Sequence, residues 1–511
     1  MSNYISIDFG MQNLKVCYYD GRKCHRVDLE GNQHSDSKTS KNAVYYKEDE
    51  NSKLLSYFFG AQEAETARKY LDPDYVCYIK RELQKEHYYR CVCNGKYRFS
   101  ALKIITDIFR RIYEKMTEAR YDMNSPTILT VPVIFSEMQK EMLRSCANKA
   151  GFDVQEIITE PFAALFSEQF YDECIDEIDG SEYVLIFDLG ASTFDFCLLY
   201  VQHESDVIEV KTVSSAGISF GGKDITDALA SYLMKKNEEL SVSLLESGRL
   251  DEVSLQPAYF ELAEELKNSL YEEEDTAEFF RSFYGNKVLL KTTNVDTILD
   301  ESRIWCKIES VIRDMLDSTD ELDADDTDSI SKVIMTGGTS KIQYFRDRVE
   351  KLFGEAELIC DPENLDSIYC AVSTGAIYYA IQDCANISNS LPMSYGIDIG
   401  KGFEKVLNRN SFFNVDGKRK QISIAQLEKN NWRIKVYQTI SSVREHSDVK
   451  QEGILYAGFI QLDPNKYSQD GDICLIFKYT KYGLVASTAY LQDLKQYIDD
   501  SVLLVTEVQY E

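Results

Sequence analysis

Two aspartates, each two residues ahead of a glycine, are the most direct chemical signal in this sequence. Asp8 stands in Ile7-Asp8-Phe9-Gly10 and Asp188 in Phe187-Asp188-Leu189-Gly190, with Asp195 just beyond the second turn. A glycine turn lets main-chain N–H groups approach phosphate oxygens with no Cβ in the way. Carboxylates at such strand ends can hold the waters of a Mg2+ ion that bridges phosphates. A single Asp-x-Gly is an ordinary turn signal, and it is the pairing that points to phosphate and metal. Two glycine pairs add to it. Gly221-Gly222 opens a helical pattern, where N–H groups can face an anion. Gly337-Gly338 follows the apolar run 333–336 and leaves room for a flat base or a ribose. The run from Gly217 to Asp224 nearly spells a P-loop. That motif needs Ser or Thr after its lysine to ligate Mg2+, and here Asp224 follows Lys223, so a P-loop is rejected.

One cluster has zinc-like spacing. Cys77, His87, Cys91 and Cys93 fall within seventeen residues. Cys91 and Cys93 flank a single residue ahead of Asn94-Gly95, a hairpin-turn signal, so they can share a face simply as alternate strand residues. The structural reading is preferred.

The elements that must position these groups read as alternating strands and helices. Residues 4–20 form a hairpin pattern around Gly10, and 184–200 repeat it around Gly190, about 180 residues later. Helical spacing marks 101–119, and Ser136 is the expected N-cap of a helix over 137–150 that stops at Gly151. A strand over 128–131 precedes it. Such alternation predicts α/β layers. Residues 386–392 are polar and read as a linker, after which 432–440, 454–462, 473–480 and 484–489 are strand-like. The last two flank Lys481-Tyr482-Gly483, read as a hairpin loop.

At 511 residues the chain exceeds one hydrophobic core, so several domains are expected. A net charge of −29 argues against nucleic acid and anionic membranes as partners. No apolar stretch is long enough to span a membrane, and no signal peptide is visible at the start. With thirteen scattered cysteines, an odd number, the expectation is reduced thiols in the cytoplasm.

These segments together resemble the 70-kDa heat-shock chaperone family. Ile7-Asp8-Phe9-Gly10 with Asn13 is similar to its first phosphate motif, and Phe187 through Asp195 to its second. Leu129-Thr130-Val131-Pro132, Ala150-Gly151-Phe152 and Glu160-Pro161-Phe162-Ala163-Ala164 resemble its connecting segment, and Ile79-Lys80-Arg81 its lysine segment. Gly221-Gly222-Lys223-Asp224 matches its Gly-Gly-x-Asp, residues 333–342 its adenosine motif and 371–376 its second connecting helix. The resemblance implies an α/β fold: a two-lobed, actin-like ATPase domain of duplicated ribonuclease H-like folds over 1–385, with the second lobe beginning near 184. A linker over 386–395 and an all-β, sandwich-like domain over 396–511 would follow.

The roles it implies follow residue by residue. Asp8, Asp188 and Asp195 would hold Mg2+, largely through water. Lys80 would place charge near the γ-phosphate, and Glu160, Thr193 and Asp195 would orient the attacking water. Gly10, Met11, Gln12, Asn13, Gly190, Ala191, Ser192, Gly221 and Gly222 would cradle the phosphates of ATP or ADP. Glu264, Lys267, Gly337, Gly338, Ser340 and Lys341 would take the adenosine. The implied activity is a slow ATPase, with a protein or peptide client at the β domain and room for cochaperones. The sequence also departs from the family pattern. Met11 and Gln12 replace two threonines, Ala191 and Ser192 replace glycines, Lys341 replaces an arginine and Tyr271 a serine. The linker has no leucine run, and the resemblance stops at Glu511 without a helical lid. From the residues alone, two other classes compete. One is a nucleotide-sensing regulatory or scaffold protein with little hydrolysis. The other is an actin-like filament protein or small-molecule kinase.

Overall fold

The computed structural model describes residues 3–503, except 31–38, 85–87, 168–169, 171–179, 205–206, 273–276, 320–321, 323–326, 362–363, 365–368, 382–384, 414, 440–445, 452, 467–471, 481–482 and 491–496. Among the described residues no helix is long and apolar enough to cross a membrane.

Both expected hairpins form. Tyr4–Phe9 pairs antiparallel with Asn13–Tyr19, and on its other side Tyr4–Phe9 runs parallel to Pro126–Val131. Gly180–Leu189 pairs antiparallel with Phe194–Glu204 and runs parallel to Ile330–Thr336. Each hairpin thus sits in a six-stranded sheet of the same design. Apolar alternation explains why these stretches are strands: Ile5 and Ile7 are buried on one face with Leu14 and Val16, as Leu185 and Phe187 are with Phe196 and Leu198.

Helix Ala101–Glu118 shares a buried core with the first sheet, Phe109 stacking on Phe9, and is capped by Ser100, whose side chain accepts from the Lys103 N–H. Helix Glu137–Ala150 begins at Ser136 in a capping box with Gln139 and ends at Gly151, whose φ of +113° suits glycine. Helices Glu160–Leu165 and Ala371–Ile381 cross so closely that a Cβ on Gly375 would lie 1.9 Å from the Ala163 carbonyl oxygen. Their side chains share a buried cluster with Ile128 from the first sheet and Ile186 and Ile334 from the second, joining the two halves.

The C-terminal strands form two four-stranded antiparallel sheets. One runs Glu404–Leu407, Ser394–Asp398, Arg433–Thr439, Leu455–Gln461; the other Arg419–Ser423, Asp472–Thr480, Gly483–Tyr490, Tyr497–Leu503. They close over one apolar cluster that includes Tyr395, Val436, Leu475 and Leu484. Lys481 and Tyr482 lie outside the described residues, and Thr480 pairs directly with Gly483.

Two expectations change in detail. Residues 386–395 are not a free tether. Ala385–Ser388 joins the second sheet as a strand parallel to Val207–Ile218, and Ser394 already opens the first strand of the β module. Main-chain pairing needs no leucine run, because every residue carries its own donor and acceptor. Of the cysteine cluster, Cys91 lies on strand Tyr89–Val92, whereas Cys93 sits in the turn at φ +53°. The two are therefore not same-face strand neighbours. Asn94 and Gly95 make the expected turn, and His87 lies outside the described residues.

Candidate functional site

The two Asp-x-Gly turns face a cleft of about 960 Å3. It is lined by Asp8, Gly10, Met11, Gln12, Asn13, Lys80, Glu160, Asp188, Gly190, Ala191, Ser192, Thr193, Gly222, Glu264, Lys267, Gly337, Gly338 and Lys341. Asp195, Gly221 and Ser340, also expected there, do not line it.

Each turn has a local reason. A Cβ on Gly10 would fall 2.3 Å from the Asn13 carbonyl oxygen, so the tight turn excludes other residues. Asn42 clamps it, donating its side-chain amide to the Gly10 carbonyl at 2.6 Å and its N–H to that of Gln12 at 2.8 Å. The second turn closes through Gly190 N–H to the Thr193 carbonyl at 3.0 Å.

The Gly221-Gly222 expectation is corrected. The N–H groups of Gly222 and Lys223 donate to the carbonyls of Gly190 and Ala191 at 3.0 and 2.9 Å, so they hold the second turn instead of facing an anion. Gly221 is needed for the contact itself, since its Cβ would lie 2.5 Å from Ser192 N. Gly337, at φ +83°, lies as close to the other side of the second hairpin: its Cβ would be 2.5 Å from the Leu189 carbonyl oxygen and 2.6 Å from Asp188 Oδ1. Ser340 turns inward and donates to the Gly337 carbonyl at 2.6 Å. It supports the turn and does not face the cleft.

On the far side, Lys267 donates to Thr226 Oγ1 at 2.7 Å and to Glu264 Oε2 at 2.9 Å. Gln12 reaches across from the first hairpin to Glu264 Oε1 at 2.8 Å. Burial alone would raise the Glu264 pKa, but Lys267 and the bonds from Thr226 and Gln12 outweigh it and bring it down to about 2.

The end of the cleft beneath the two glycine turns is crowded with charge. Lys80 Nζ lies 2.7 Å from Glu160 Oε1 and 5.2 Å from the centre of the Phe135 ring, with only 3% of its side chain exposed. Asp195 is buried opposite Asp188 across the hairpin, its Oδ1 accepting from Val133 N–H at 2.7 Å while Oδ2 has no hydrogen-bond partner among the described residues. Burial and the Glu160 charge push its pKa up to about 7 despite help from Thr193 and Val133. Burial, then the charges of Glu160, Asp195 and Asp8, raises Asp188 well above the usual carboxylate range.

Sequence reasoning missed Lys15, Thr339 and Tyr369. Thr339 Oγ1 donates to the Gly190 carbonyl at 3.0 Å, and the Tyr369 ring packs on Gly338 with Lys341 Nζ 5.3 Å from its centre. Lys15 Nζ lies 2.8 Å from Asp8 Oδ2. Its signal was present in the sequence: a lysine inside an otherwise apolar strand between Leu14 and Val16.

Two sheets of one design, each presenting a glycine turn and an aspartate to a shared polar cleft, define a mixed α/β protein with its site between two halves. A family model described as "Hsp70 protein" matches residues 57–451, and the chain belongs to the Hsp70 family. It is 27% identical over 335 residues to "Heat shock 70 kDa protein 7, chloroplastic" of Arabidopsis thaliana, covering 63% of this chain and 43% of that one. It is 26% identical to the "Stromal 70 kDa heat shock-related protein, chloroplastic" of Pisum sativum and of Spinacia oleracea, covering 63% of this chain and 44% and 52% of theirs. The chain thus spans about half the length of these curated relatives.

Proposed function

We propose that this protein is a chaperone-like ATP-binding protein that hydrolyses ATP slowly in the cleft and binds a protein or peptide client through its β module. In this reading residues 1–385 bind nucleotide, 386–395 connect, and 396–511 form the β-rich domain. The observation that carries the reading is the convergence of both Asp-x-Gly turns with the buried Lys80–Glu160 pair on one cleft.

The phosphates of ATP would lie between the Gly10 and Gly190 turns, with the adenosine towards Glu264, Lys267 and Gly338. Lys80 would stabilise charge on the γ-phosphate oxygens as the bond to the leaving group lengthens. Glu160 and Thr193 would orient the attacking water, and Asp195 would support them from behind. Four carboxylates (Asp8, Glu160, Asp188, Asp195) meet two ammonium groups (Lys15, Lys80), and among the described residues Asp195 Oδ2 has no hydrogen-bond partner. This donor set suits Mg2+ held through water, with Asp188 facing the cleft. When bound, the ion would neutralise phosphate charge.

The test is a titration of labelled ATP followed by single-turnover hydrolysis, with Lys80→Ala as the control. Absence of binding at millimolar nucleotide would reject the reading. Binding without turnover would favour the second reading, a nucleotide-sensing regulator. The replacement of two threonine hydroxyls by Met11 and Gln12, with Gln12 committed to Glu264, supports that alternative.

A further inference from the structure

The two hairpins are built alike, and they carry opposite charge at one equivalent position. In the second, Asp188 is paired across the strands with Asp195; in the first, Asp8 is paired with Lys15. Both partners stand seven residues after the aspartate, on the strand leaving the turn. The first hairpin therefore carries an ammonium group where the second carries a carboxylate.

Several observations place that ammonium at the phosphate end of the cleft. Lys15 lines the cleft, and its side chain is 18% exposed. Its Nζ lies 3.5 Å from where a Cβ on Gly10 would be, directly beneath the first glycine turn. Among the described residues its one hydrogen-bond partner is Asp8, which leaves two of its three N–H donors for other acceptors. Its 2.8 Å ion pair with Asp8 Oδ2 fixes the ammonium group at this end of the cleft.

We propose that Lys15 is a built-in cation of the nucleotide site, so that ATP and ADP remain bound when no divalent ion is available. The inference rests on the reading of the cleft as a nucleotide site. An ammonium fixed by Asp8 and aimed at the phosphates supplies part of the positive charge that a site of carboxylates alone would draw entirely from Mg2+. A divalent ion can still be held through water at Asp188, but nucleotide affinity depends on it less.

The experiment measures dissociation constants of fluorescent ADP and ATP for the full chain, in excess MgCl2 and in excess EDTA. It is run on wild type and on Lys15→Met, which keeps an unbranched stem, with Lys15→Arg retaining the charge. The readout is the EDTA penalty, the ratio of the two constants. Loss of one charge-assisted hydrogen bond is worth on the order of tenfold to hundredfold in affinity. The penalty should therefore be at least about fivefold larger in Lys15→Met than in wild type, with Lys15→Arg resembling wild type. A penalty no larger in Lys15→Met overturns the proposal. If Lys15→Met does not fold, wild type decides alone: binding that survives EDTA within about tenfold supports the proposal, and a larger loss overturns it. Failure to bind in MgCl2 as well would instead reject the nucleotide site itself.

Discussion

The Tyr395 hydroxyl donates to the Glu137 carboxylate at 2.8 Å, joining the first strand of the β module to the first turn of a helix 258 residues earlier. Tyr479 donates to the same oxygen at 2.9 Å, Lys140 adds a third bond at 2.9 Å, and the Glu137 N–H donates to Gln438 at 3.0 Å. Together with strand Ala385–Ser388 in the second sheet, this gives the two parts of the chain a direct contact that a polar linker does not suggest.

Removing both tyrosine hydroxyls should loosen that contact. A hydrogen bond to a charged group contributes about 1.5–3 kcal/mol. The double variant Tyr395→Phe, Tyr479→Phe should shift the chain towards separated parts, read as a larger radius of gyration by small-angle scattering. Burial would raise the Glu137 pKa, but Lys140 and the tyrosines lower it. The contact should therefore be intact above the ordinary glutamate range and be lost as pH falls below it, through the depressed value. An unchanged radius in the double variant would show that other contacts dominate.

Lys80 and Glu160 should behave as a unit. The pair is buried, so removing one partner strands the other charge at a cost of about 3–5 kcal/mol. Lys80→Ala should lower the melting temperature and cut ATP turnover on the order of a hundredfold. Lys80→Ala with Glu160→Gln should recover much of the stability and none of the turnover. Turnover equal to wild type in Lys80→Ala would remove Lys80 from the proposed chemistry.

Asp195 predicts an inverted pH dependence. Its folded pKa of about 7 lies above the unfolded value, so between the two the folded state holds the extra proton. Its contribution is greatest at acid pH and is lost as pH rises through about 7. Glu264, at about 2, is ionised in both states above about pH 5.5 and adds no slope there. The melting temperature without nucleotide should fall between about pH 5.5 and 7 and level off above, and Asp195→Asn should flatten the fall. Parallel curves for the two proteins would place Asp195 outside the effect.

Gly337→Ala tests how the Gly337-Gly338 turn is seated against the second hairpin. At φ +83° a side chain is strained, and its Cβ would press on the Leu189 carbonyl and the Asp188 carboxylate. We expect a loss of about 1–3 kcal/mol in stability, as for other overpacked sites. Nucleotide affinity should also fall at least tenfold, since both the turn and Asp188 must shift. Calorimetric titration alongside thermal melting separates the two effects.

What the sequence determined by itself was local. Period-two alternation placed both hairpins, Ser136 and Gly151 bounded their helix, and the glycines marked the turns, because strand faces, caps and turns are set by residues only a few positions apart. Tertiary structure decided the partners. Only packing uses the Gly222 and Lys223 N–H groups on the second turn, turns Ser340 inward and brings Gln12 to Glu264 from 252 residues away. It also decided that Ala385–Ser388 pairs as a strand, since main-chain hydrogen bonding leaves no signature in side-chain polarity. A charged or hydrogen-bonding side chain has the same appearance in a sequence whether it faces water or a partner hundreds of residues away. Only the approach of the two chain segments distinguishes these cases.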